Sequence, residues 1–87
     1  MEYYNGGINV AIGFVLIHVS TMSESEVFNK LLKTPEVIEL HPLFGEYDII
    51  AKIEAKDYES IGEILIHKIR TIDGILYTST LTGLKLH

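Results

Sequence analysis

The side chains best suited to chemistry crowd into one short stretch, Leu43-Phe44-Gly45-Glu46-Tyr47-Asp48. Glu46 and Asp48 stand two apart and so share a face of an extended chain, with the Tyr47 ring between them. A carboxylate beside an aromatic ring suits a small cationic or zwitterionic molecule, and Gly45 supplies a backbone that turns sharply or lets a ligand come close. The same residues also read as an ordinary solvated hairpin turn. General acid–base work by this pair would need one carboxyl raised by burial, and nothing in the sequence points to that. The four histidines, His18, His41, His67 and His87, have no metal-ligand spacing. Thr78, Thr80 and Thr82 share a strand face and could donate to a ligand carboxylate, although a hydroxyl run is also plain β-propensity. There is no G-x-G-x-x-G, P-loop, H-E-x-x-H or nucleophile elbow. The expectation is therefore a binding function, with no catalytic residue, no cofactor and no metal.

Composition narrows the frame. With 87 residues, 47% of them apolar, the chain has room for one domain with a packed core. The absence of cysteine rules out disulfides and thiolate metal sites. A formal net charge of −5 and no basic cluster argue against direct nucleic-acid binding. The apolar run from Val10 to Val19 is too short to span a bilayer, which takes about twenty helical residues. It also lacks the positive flank of a secretory signal, so no membrane partner is expected and the cytoplasm is the default compartment.

Residues 1–9 read as a flexible leader with a Gly6-Gly7 swivel, and residues 10–87 as the domain. Val10 to Ser20 is a strand apolar on both faces, as befits the middle of a sheet. Ser23 and Glu26 form a capping-box pattern ahead of a helix bearing Val27, Phe28, Leu31 and Leu32, which Thr34-Pro35 ends. Val37 to Leu43 is a second strand, and Pro42 marks it as an edge or bulged one. Tyr47 to Lys56 alternates apolar and polar residues as a third strand. Asp57 caps a second helix from Tyr58 to about Thr71, with an apolar stripe of Ile61, Ile64, Leu65, Ile69 and Ile72. Asp73-Gly74 stops it, and Ile75 to Thr82 is the fourth strand. The order β-α-β-β-α-β predicts a ferredoxin-like α+β sandwich, a four-stranded antiparallel sheet with two helices on one face.

Such a sheet has one uncovered face. About six large apolar side chains fall there, four of them (Val10, Ile12, Phe14, Leu16) from the first strand, with Ile50 from the third. At about 1.5–3 kcal/mol each, leaving them wet forgoes on the order of 10 kcal/mol, comparable with a small domain's whole stability. The expectation is an obligate dimer paired through the sheet, less uniformly where Lys52 and Glu54 share that face.

Taken together, Pro35-Glu36-Val37, Gly45-Glu46-Tyr47-Asp48, Asp57, Ile69-x-x-Ile72-x-Gly74-Ile75 and Thr78-Ser79-Thr80 resemble the effector domain of the Lrp/AsnC (feast/famine) transcription regulators, the RAM domain. The resemblance covers roughly residues 10–86, and the Gly-acidic-Tyr-Asp turn is its most specific element. It implies homo-oligomers in which sheet-paired dimers assemble into rings, such as octamers, and an amino-acid effector held between dimers near that turn. Carried over, the ligand-binding residues are Gly45, Glu46, Tyr47 and Asp48, with Asp48 for the ammonium, and His41, Thr78 and Thr80 as additions. Family members carry an N-terminal helix-turn-helix, which nine leader residues cannot form. The expectation is thus a stand-alone effector domain that does not bind DNA itself and acts through full-length Lrp/AsnC-type partners. Two other readings share the strand order: a small dimeric α+β barrel enzyme, and an ACT-like amino-acid-binding domain. The enzyme needs a reactive pocket between helices and sheet, where the inward residues here are aliphatic.

Overall fold

Alternation written into the first strand decides which way the sheet faces. In the computed structural model, which describes residues 10–83, β1 (Ala11–Val19) buries every second residue. Ala11, Val15, Ile17 and Val19 point to the helices, while Ile12, Phe14, Leu16 and His18 stay half-covered on the other side. β3 (Ile49–Ala55) repeats the pattern: Ile49, Ala51 and Ile53 are buried, and Ile50, Lys52 and Glu54 are not. β2 (Val37–Pro42) and β4 (Ile75–Thr82) take the edges, in the order β2-β3-β1-β4, with every pairing antiparallel. The predicted ferredoxin-like sandwich is the fold, with β1 inside the sheet and the Pro42 strand at its edge. The leader (residues 1–9) and the Leu84–His87 tail lie outside the described residues.

Helix α1 (Glu24–Leu32) lays Val27 and Leu31 on the sheet, while Leu32, expected in its apolar stripe, is exposed. Ser23 does occupy the N-cap, but its side chain makes no capping bond. The helix is entered instead through a 3₁₀ turn, Thr21–Ser23, whose Ser23 N–H donates to the Ser20 carbonyl at 2.9 Å. Helix α2 (Tyr58–Ile64) is capped as expected, the Asp57 carboxylate accepting from the Ser60 N–H at 2.8 Å.

The expected run of α-helix to Thr71 does not form. Leu65–Ile69 winds as π-helix, with the Arg70 N–H donating to the Leu65 carbonyl at 2.8 Å. Ile64 and Ile69, five positions apart, are both buried in the core across this wider turn.

Gly74 joins this segment to β4 with φ +105°. A Cβ there would lie 2.6 Å from that of Ser23, so the position demands glycine on two counts. The Lys68 ammonium reaches the Glu36 carboxylate at 2.6 Å and ties the end of the π turn to the start of β2. That bond, ahead of Glu36's own backbone N–H, holds the Glu36 carboxyl below its ordinary value.

Candidate functional site

The acidic-aromatic turn sits where β2 hands over to β3, at the end of the sheet where β1 finishes. Gly45 turns the chain with φ +142° and open space around it, so its requirement is conformational and not steric. Phe44, Gly45 and Glu46 are exposed, whereas Tyr47 and Asp48 are partly covered. Regular pairing of β3 starts two residues later than the alternation predicts, at Ile49. Asp48 is nevertheless anchored: its N–H donates to the Ile17 carbonyl at 2.8 Å, and its carbonyl accepts from the Leu43 N–H at 2.7 Å.

The Asp48 side chain has work within the protomer. Its Oδ2 accepts from the Val19 N–H at 2.8 Å and lies 3.1 Å from His18 Nδ1. The second contact is a close approach and not an aligned hydrogen bond, since Nδ1 is buried without a hydrogen-bond partner. Both contacts fall on Oδ2, and Oδ1 carries the remaining lone pairs. The His18 ring lies 4.9 Å from the ring of Tyr77, and Tyr77 meets Tyr47 edge-on at 5.9 Å. Three rings and one carboxylate, from β1, the turn and β4, thus form a single corner on the uncovered face.

His41 shares that face, beside Ile50, with its ring 3.4 Å from Glu39. The His41 ring, and then Lys52, hold the Glu39 carboxyl below its ordinary value. Thr78 and Thr80 are not brought to the corner. They pair with Ile17 and Val15, whose side chains point to the helices, and the Thr80 hydroxyl is buried without a partner. Tyr77, Ser79 and Leu81 are the β4 residues on the open face, through pairing with His18, Leu16 and Phe14. His18 and Tyr77 are residues of this corner that sequence reasoning did not single out. His18 continues the series Ile12, Phe14, Leu16 on the open face, which was the available signal.

On the helix side of the turn, Glu24, Ser25, Phe28, Asn29, Pro42, Leu43 and Asp48 line a groove of about 490 Å³. Asp48 belongs to both groove and corner. Among the described residues no group of three His, Asp or Glu is gathered as a metal would require, and no helix is long and apolar enough to cross a membrane.

Four antiparallel strands with both helices on one side, and a polar corner at one end of the bare side, define the class: a ferredoxin-like α+β domain with an open sheet. The chain belongs to the Lrp/AsnC ligand-binding domain family, whose model matches residues 12–86. It is 37% identical over 81 residues to the HTH-type transcriptional regulator FL11 of Pyrococcus furiosus, a match covering 93% of this chain and 52% of that protein. The structure superposes on FFRP-DM1 with TM-score 0.81 and 35% identity, covering 85% of this chain and 99% of that one. It superposes on AsnC of E. coli with TM-score 0.81 and 32% identity, covering 92% and 54% respectively. The chain spans about half the length of the curated regulators it matches first. One matched relative is an enzyme, homocitrate synthase of Sulfurisphaera tokodaii, at 38% identity but over only 15% of its length.

Proposed function

We infer that this domain is the effector-binding and assembly module of an Lrp/AsnC-type regulatory system. It pairs with itself through the open sheet, holds a small amino-acid-like ligand at an oligomer interface, and modulates transcription through partner regulators without contacting DNA. The observation that carries this reading is the open face itself. Ile12, Phe14, Leu16, Ile50 and Leu81 share it, and one end carries the corner of His18, Tyr47, Asp48 and Tyr77. An apolar field ending in a carboxylate and three rings suits a second copy of the chain with a zwitterion at the rim.

The charged end of the face is also managed. Lys52 lies 5.8 Å above the Phe14 ring and reaches Glu39 at 3.5 Å, so its stem covers apolar surface while its charge is partly matched. For the ligand, the Asp48 carboxylate suits the ammonium. The ligand carboxylate needs N–H or hydroxyl donors, which Gly45 and its neighbours in the exposed turn can offer as backbone N–H groups. Thr78 and Thr80 lie on the helix side of their own protomer and play no part in this corner. The acidic net charge favours regulation by association with full-length relatives over direct DNA contact.

The test joins sedimentation velocity with calorimetry against the common L-amino acids. The expected result is a dimer or larger ring at micromolar concentration that binds at least one amino acid. Asp48→Ala is expected to weaken that binding at least about tenfold, the loss of one charge-assisted bond. A folded monomer that binds none of them would sink the proposal.

A further inference from the structure

We propose that Phe44 is a docking knob, and that it seats in the groove between α1 and the β2–β3 turn of a second copy of this chain. The inference rests on the sheet pairing proposed above and adds a second, separate contact, which joins one pair to the next.

Phe44 is fully exposed at the tip of the turn, the most exposed aromatic ring among the described residues. One exposed ring needs no explanation by itself. Here, however, a receptacle for it begins at the neighbouring residue. Leu43 lines the groove of about 490 Å³ together with Phe28 and Pro42, and these apolar walls suit a phenyl ring. The ring does not fill the groove of its own protomer, since it stands clear in solvent. The base of the turn is closed by the Leu43 N–H, which donates to the Asp48 carbonyl at 2.7 Å, and Gly45 completes the bend with φ +142°. Phe44 is thus presented on a braced loop, so little ordering remains to be done on contact.

Because knob and hole are adjacent, one two-fold axis beside the turn lets two copies exchange their Phe44 rings, each filling the other's groove. The groove lies on the helix side of the turn, so pairing through the open sheet leaves it free. A sheet-paired dimer has two such ends and can be linked at both. Two rings alone do not offset the freedom lost when two free chains meet. The contact therefore acts between dimers that the sheet already holds, where linkage at both ends reinforces it.

Charge opposes this contact and fixes its response to salt. Glu24 and Asp48 line the groove, Glu46 stands two residues from Phe44, and the chain carries a net charge of −5. Burial of the rings works against repulsion between these carboxylates, which salt screens within about 10 Å in roughly 0.1 M solution.

The experiment is sedimentation velocity on the full chain at micromolar concentration, wild type beside Phe44→Ser, Phe44→Leu and Asn29→Trp. Phe44 and Asn29 are both exposed, so the fold should be retained, which circular dichroism checks. The wild type is expected as a particle larger than a dimer. Phe44→Ser should sediment as the dimer, whereas Phe44→Leu should keep the larger particle. Asn29→Trp should lose it by filling the groove from α1. Raising the salt from about 50 to about 500 mM should favour the larger wild-type particle. A wild type that stops at the dimer, or a Phe44→Ser or Asn29→Trp variant of wild-type size, overturns this contact and leaves the sheet pairing standing. So does a larger particle that salt takes apart, since charge pairs would then hold it. A wild type that sediments as a folded monomer overturns the sheet pairing and this contact together.

Discussion

Two glycines of this chain look alike on paper and differ in what surrounds them. Gly45 and Gly74 both have positive φ, yet Gly45 stands in open space while Gly74 presses against Ser23 and Val27. Alanine at Gly45 meets only the strained backbone conformation. Alanine at Gly74 meets the same strain and must also displace the Ser23 Cβ at the mouth of α1. Gly74→Ala is expected to cost about 2 kcal/mol, and Gly45→Ala visibly less, in paired urea melts. The same contrast governs Asp48 and Glu46. Both are turn carboxylates two residues apart, but Asp48 is tied to Val19 and His18, whereas the Glu46 side chain is exposed with its backbone at the tip of the turn.

Among the elements, the second helix departs furthest from its sequence pattern, winding as π-helix over Leu65–Ile69. Ile69 is fully buried at the end of the π turn. Ile69→Ala is expected to destabilise by about 2–5 kcal/mol, and circular dichroism should report whether the turn loses helicity with its anchor. The Glu36–Lys68 bond closes that segment onto β2 and gives a pH signature. A carboxyl whose folded pKa is lowered adds stability above its unfolded pKa, and that stability disappears as pH falls through the folded value. Glu36, Glu39 and Asp57 are all lowered, the first by Lys68, the second by His41 and then Lys52, the third by the Ser60 side chain and then its N–H. The melting temperature should therefore fall as the solution is acidified below about pH 4.5, the ordinary carboxylate range. Glu36→Gln should make that fall shallower while costing about 0.5–1 kcal/mol near neutrality, as suits a partly exposed pair.

For the whole molecule, the decisive quantity is the apolar surface left on the bare side of the sheet. Burying Ile12, Phe14, Leu16, Ile50 and Leu81 against a second copy is worth on the order of 10 kcal/mol before the costs of association are counted. Leu16 sits near the middle of that field, between Ile50 and Ser79 in the two flanking strands. Leu16→Asp is expected to convert the associated species to monomer in sedimentation velocity, with the helices retained. If Leu16→Asp sediments as the wild type does, the pairing surface lies elsewhere.

The β-α-β-β-α-β order, the edge position of β2, the Asp57 cap and the central place of β1 were all legible in the sequence, because each rests on local periodicity or on residues a few positions apart. So was the family, through a resemblance that includes the Gly45-Glu46-Tyr47-Asp48 turn. The partners of that turn were not legible. Val19 and Asp48 are 29 residues apart in the chain, and only strand register brings them within a hydrogen bond of each other. Register likewise put Tyr77 beside His18 and sent Thr78 and Thr80 to the helix side, since a step of one residue along a strand exchanges its two faces. Local pattern decides what each segment becomes, and pairing between distant segments decides which side chains can act together.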